Sequence, residues 1–144
     1  GTTLTFTLPE TTEAAVYEIE IQDVSSDVLR ELDEENVNTD QVAGIKLRSA
    51  LVEIATSNVD FDFGDVANLS LSMRAPGLSE VIIALKDSDL SGNRITLEIE
   101  DRALLEYLLA STATYKLMVT TTAPLPEPID LDVTPEFGVT ARPL

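Results

Sequence analysis

Tyr17-Glu18-Ile19-Glu20-Ile21-Gln22 is the stretch that decides the reading of this chain. Apolar and polar side chains alternate at every step, and a period of two is the mark of an extended strand with one face buried and the other in water. A helix would scatter Tyr17, Ile19 and Ile21 around its axis and bury none of them well. The same alternation recurs in both directions. Leu4, Phe6 and Leu8 alternate with Thr5 and Thr7 before Pro9 ends the run, and Leu69, Leu71 and Met73 alternate with Ser70, Ser72 and Arg74. Ile95, Leu97 and Ile99 read as one more strand, as do Tyr115, Leu117 and Val119. Ile129, Leu131 and Val133 alternate with Asp130 and Asp132, and Phe137, Val139 and Ala141 continue their phase. Pro135 between the two pieces implies an edge or a bulge, because it has no N–H for a ladder.

Two departures from strict alternation are informative. Ile45 and Leu47 set one phase, and Ala50, Val52 and Ile54 set the opposite one, so a β-bulge is expected near Ser49 and Ala50. Residues 81–85 are apolar on both faces, which places them centrally in a sheet. Two segments change period altogether. Ser25 or Ser26 can cap a helix whose first turn holds Asp27 and whose apolar stripe is Val28, Leu29 and Leu32, with residues 39–43 adding a turn stopped by Gly44. Asp101 can cap a second helix, with Leu104, Leu105, Leu108 and Leu109 covering the core. The expected architecture is therefore all-β: a single domain over residues 1–144, an antiparallel two-sheet β-sandwich, immunoglobulin-like or jelly-roll-like. It has about eight strands and two short helical crossovers bridging the sheets at one end. Gly1 reads as the remnant of an expression tag, and Pro124, Pro126 and Pro128 as a stiff extended link.

Composition narrows the function classes. Acidic residues number 26 against 9 basic, a net charge of −17, which repels phosphate backbones and argues against nucleic-acid binding. No apolar run approaches the roughly 20 residues of a membrane span. The chain has no His and no Cys, which removes Ser–His–acid and Cys–His catalysis, imidazole and thiolate metal sites, and disulfides. Two carboxylates can still hydrolyse glycosides, and that is the remote enzymatic alternative.

The one cofactor candidate is calcium. Asp60, Asp62 and Asp65 cluster around Gly64, and Asp87 and Asp89 share a loop with Asn93. Hard oxygen donors on a turn suit Ca²⁺, although neither stretch follows the twelve-residue EF-hand pattern. The competing reading makes these acids turn formers and helix caps. Phe61 and Phe63, flanked by the acids, either plug an open end of the sandwich or form a contact patch. Tyr17, Tyr115, Phe6 and Phe137 lie on apolar phases and read as core rather than as sugar-stacking rings.

The order of segments resembles bacterial cell-envelope lipoproteins of unknown function. The likeness is carried by Leu4-Thr5-Phe6-Thr7-Leu8-Pro9, the helix of residues 25–35, Gly44-Ile45-Lys46-Leu47-Arg48-Ser49 and the closing strand of residues 133–141. It implies an extracytoplasmic setting, no catalytic residue and a lipid anchor outside this sequence, since the anchoring Cys is not present in it. The function expected from the whole is a non-catalytic extracytoplasmic binding or structural module with a protein or glycan partner. The alternative is a calcium-dependent adhesion or carbohydrate-binding module.

Overall fold

The alternating stretches become strands, and the two stretches of changed period become helices. In a computed structural model describing residues 2–142, the order is β1 (Leu4–Leu8), β2 (Val16–Ser25), α1 (Asp27–Glu34), β3 (Val42–Ile54), β4 (Val66–Arg74), β5 (Val81–Lys86), β6 (Arg94–Thr96), β7 (Glu98–Ile99), α2 (Leu105–Leu109), β8 (Thr112–Thr121) and β9 (Ile129–Ala141). One sheet has the order β1-β9-β3-β6 and the other β2-β8-β4-β5-β7, with every pairing antiparallel.

Four of these pairings are nested: β4 with β5, β3 with β6, β2 with β8, and β1 with β9. The chain is thus one long hairpin, folded at the β4–β5 turn and rolled so that successive pairs alternate between two sheets. That connectivity is a jelly roll, which settles the choice that strand patterns left open. The fold of the long hairpin is local chemistry. Leu78 N–H donates to Ala75 C=O at 2.9 Å across Pro76 and Gly77, and Gly77 has φ +77°, the left-handed conformation that a type II turn requires at this position.

The inward faces are aliphatic. β8 alternates without a fault, turning Ala113, Tyr115, Leu117, Val119 and Thr121 inward. Thr121 stays polar there because its hydroxyl donates to Ala15 C=O at 3.2 Å and accepts from Ala15 N–H at 3.0 Å. The expected bulge on β3 is present: Leu47 pairs with Phe137 and Ser49 with Glu136, leaving Arg48 as the extra residue. Its side chain lies across Gly138, where an added Cβ would stand 2.0 Å from Arg48 Nε. Pro135 is tolerated because β1 begins at Leu4, opposite Val133, so β9 has a free side beyond that point.

Four expectations are corrected. Residues 95–99 are not one strand of one sheet: the segment bends at buried Leu97, β6 pairing with β3 and β7 with β5. This bend carries the chain between sheets, so α2 leaves and re-enters the same sheet, and α1 alone of the two helices connects strands of different sheets. β5 has only two-residue β7 on its outer side, and Ile82 is exposed. Its apolar run reflects an extra residue opposite Leu71 and Ser72, which buries the consecutive Ile83 and Ala84. Residues 39–43 contribute only the 3₁₀ turn Thr39–Gln41, since Val42 already begins β3.

The ends of the sandwich close differently. At the end away from the helices Phe63 is fully buried and Phe61 nearly so, which makes them plugs rather than a contact patch. Leu125, inside the proline-rich link, is also fully buried, held by the Thr11 N–H to Leu125 C=O bond of 2.9 Å. Replacing Phe63 with Ala leaves a cavity under the Phe61–Asp65 turn. Phe63→Ala is expected to cost about 3–5 kcal/mol in urea unfolding, and a loss below about 1 kcal/mol would show that the turn does not seal the core.

Candidate functional site

At the other end, the helices are fastened to each other before they are fastened to the sheets. Ser26 caps α1 by accepting from Leu29 N–H at 3.3 Å, and its hydroxyl donates to Leu108 C=O in α2 at 2.6 Å. Ser26 N–H donates to Ser111 C=O at 3.3 Å. Leu104 N–H reaches Ile45 C=O at 2.9 Å, which anchors the start of α2 on β3. Asn36 ends α1 by taking φ +58° just beyond the C-cap Glu35.

These attachments leave space between the start of α1, the end of α2 and the first and last strands. The result is a cavity of about 220 Å³. Leu4, Val28, Leu108, Ala113 and Phe137 supply apolar wall, and Tyr107 and Tyr115 add aromatic surface. The ionisable carboxyls on the lining are Asp27, Glu31 and Glu136, and no Lys or Arg lines it.

The three tyrosines differ in how their hydroxyls are satisfied. Tyr17 donates to Thr11 Oγ1 at 3.1 Å, and Tyr107 donates to Ser79 C=O at 2.6 Å. Tyr115 is 5% exposed, and among the described residues no group hydrogen-bonds its phenol. No side-chain polar atom of the described residues is both sealed from solvent and unpartnered, so this hydroxyl opens on the cavity. Burial pushes its ionisation well above the ordinary phenol range, and the negative charge of Asp27 pushes the same way, so Tyr115 stays protonated.

Asp27 is held in the opposite sense. The Thr2 hydroxyl donates to its Oδ2, and Arg30 Nη2 donates to Oδ1 at 3.1 Å. Both bonds favour the carboxylate, the Thr2 bond most, and its pKa lies below the ordinary range despite partial burial. It also sits in the electropositive first turn of α1.

The aspartates read as calcium candidates lie at the opposite end, along an open polar depression that also includes Thr56, Ser57, Asn58 and Asn93. Asp62 Oδ1 accepts from Gly64 N–H at 2.6 Å, and Asp65 Oδ2 accepts from Asp62 N–H at 3.3 Å, so these two carboxylates form a capping box over the 3₁₀ turn Phe63–Asp65. Among the described residues no group of three or more His, Cys, Asp or Glu side chains converges to hold a metal. Asp60, Asp62 and Asp65 share the turn without focusing on a point. Asp101, read as the cap of α2, instead pairs with Lys46 at 2.8 Å, and Leu104 occupies the cap position.

Sequence reading reached parts of the cavity wall under other descriptions. Tyr115 and Phe137 stood out as core and Asp27 as a helix-dipole residue, whereas Tyr107 and Glu136 carried no local signal. The chain matches no family model and no curated protein.

Two outcomes follow. Because the folded-state pKa of Asp27 is depressed, its contribution to stability is full above its unfolded pKa of about 4 and is lost as pH falls through the folded value. Asp27→Asn is therefore expected to reduce stability at neutral pH and to flatten the loss of stability below about pH 4, measured by urea unfolding across pH. Calcium and magnesium at matched ionic strength are expected to give the same Tm. A rise specific to calcium that Asp60→Asn abolishes would instead make Asp60, Asp62 and Asp65 a binding site.

Proposed function

We propose that this chain is a non-catalytic, extracytoplasmic binding module that holds a small ligand at the helix-covered end of its jelly roll. The observation carrying this reading is the half-enclosed cavity whose wall is mainly apolar and onto which the hydroxyl of the buried Tyr115 opens without a protein partner. Small-ligand sites take this form, an apolar concavity with few polar groups fixing orientation.

The chemistry of the lining supports binding over catalysis. Asp27 is kept ionised by Thr2 and Arg30, which suits it poorly as a proton donor, and Tyr115 is kept protonated, which suits it poorly as a base or nucleophile. Glu31 and Glu136 are exposed at the rim, and the chain offers no His or Cys. Among the described residues no helix is long and apolar enough to cross a membrane. The extracytoplasmic assignment rests on the β-rich, Thr-rich, Cys-free character of the chain and on the resemblance to envelope lipoproteins.

A cavity of about 220 Å³ suits ligands of about nine non-hydrogen atoms, scaling from benzene in a cavity of roughly 150 Å³. In a screen of neutral and charged fragments of that size, methyl signals of Leu4, Val28, Leu108 and Ala113 are expected to shift together. Shifts confined to other parts of the molecule, or none at millimolar concentration, would remove the assignment.

A further inference from the structure

We infer that the cavity takes a small organic cation, an aryl- or alkylammonium, with its ammonium group between the Tyr115 phenol and Asp27 and its apolar body against Leu4, Val28 and Leu108. This deepens the binding reading above and rests on it.

The unpaired phenol is the first argument. Tyr115 is 5% exposed, and its phenol opens on the cavity without a protein partner, whereas Tyr17 and Tyr107 each find one. An ammonium N–H donating to the Tyr115 oxygen supplies the missing bond. Asp27 lines the same cavity as the phenol, and a carboxylate oxygen that already accepts one hydrogen bond can accept another.

The sign of the charge is the second. Asp27, Glu31 and Glu136 all carry negative charge at neutral pH, with no basic side chain on the lining. Arg30, the basic residue on α1, is turned to Asp27 at 3.1 Å and Glu34 at 3.5 Å. An anion would enter against these carboxylates and a net charge of −17.

The apolar wall is the third. A bare metal ion needs six to eight oxygen ligands if it is calcium, and aliphatic side chains supply none. An organic cation uses both halves of the site: its head meets carboxylate and phenol, and its body covers the wall. Tyr107 and Phe137 provide aromatic surface of the kind that attracts a cation.

The test compares three probes with a common phenylethyl body, 2-phenylethylammonium, 2-phenylethanol and 3-phenylpropionate, by calorimetry and methyl chemical shifts on the intact chain. The amine is expected to bind at least about tenfold more tightly than the alcohol, with the carboxylate weakest. Tyr115→Phe keeps the ring and removes only the hydroxyl, and it should weaken the amine about fivefold or more while leaving the alcohol less affected. The Glu31→Gln, Glu136→Gln double variant changes exposed residues, leaves folding intact, and should weaken the amine and flatten its salt dependence. Alcohol or carboxylate binding as tightly as the amine overturns the cation assignment while the cavity remains a binding site. Failure of the amine where neutral fragments do shift the cavity methyls overturns this inference alone, and failure of every fragment overturns both readings.

Discussion

The structure depends on the C-terminal strand pairing with two partners at once. β9 takes β1 on one side, from Leu4 opposite Val133 to Leu8 opposite Ile129, and β3 on the other over nearly its whole length. Ile129, Leu131 and Val133 are fully buried between these neighbours and the facing sheet. The first and last strands are neighbours, so the rolled hairpin closes only when segments more than a hundred residues apart meet. That is a large loop-closure cost, and the buried aliphatic faces of both sheets must offset it. The proline-rich link before β9 serves this closure, because Leu125 seats β9's leading end against the β1–β2 loop.

The sandwich is sealed by unlike devices at its two ends, and the difference produces the site. At one end two phenylalanines on a short acidic turn insert directly into the core, and Asp62 and Asp65 beside them hold the turn. At the other, two short helices lie across the opening and are fastened through backbone carbonyls and one serine hydroxyl. Helices span an opening less completely than inserted aromatic rings. The space left over beneath the α1 N-terminus is the cavity, and Tyr115, which faces it from β8 beside Ala113, has a hydroxyl without a protein partner.

The acidic surface is organised rather than uniform. On the outer face of the four-stranded sheet, Thr5 donates to Asp132 at 2.7 Å and Thr7 to Asp130 at 2.6 Å, so hydroxyls across the strand satisfy carboxylates that would otherwise stand alone. On the other sheet Arg74 binds Glu20 in a fork of 2.8 and 3.1 Å, and Lys116 holds Glu80 at 2.9 Å, above the buried Ser72. The fork draws Glu20 below the ordinary carboxylate range and Arg74 above its own. The free edge of β2 is interrupted by a bulge in which Asp23 takes φ +56°, which spoils it as a template for pairing with another chain.

The sequence by itself determined which stretches extend, which face of most strands is apolar, where the phase slips on β3, where α1 starts and how acidic the chain is. These are local properties: period two against period 3.6, a serine before a helical stripe, a Pro-Gly pair at a turn. The choice between immunoglobulin-like and jelly-roll order was beyond it, because an alternating strand shows the same pattern whichever neighbour it pairs with. For the same reason Ile95, Leu97 and Ile99 could not announce that they divide between two sheets, nor Leu125 that it belongs to the core. The cavity was least legible of all. Asp27, Tyr107, Tyr115 and Glu136 are far apart along the chain, and only the tertiary packing of α1 and α2 over the end of the roll brings them to one wall.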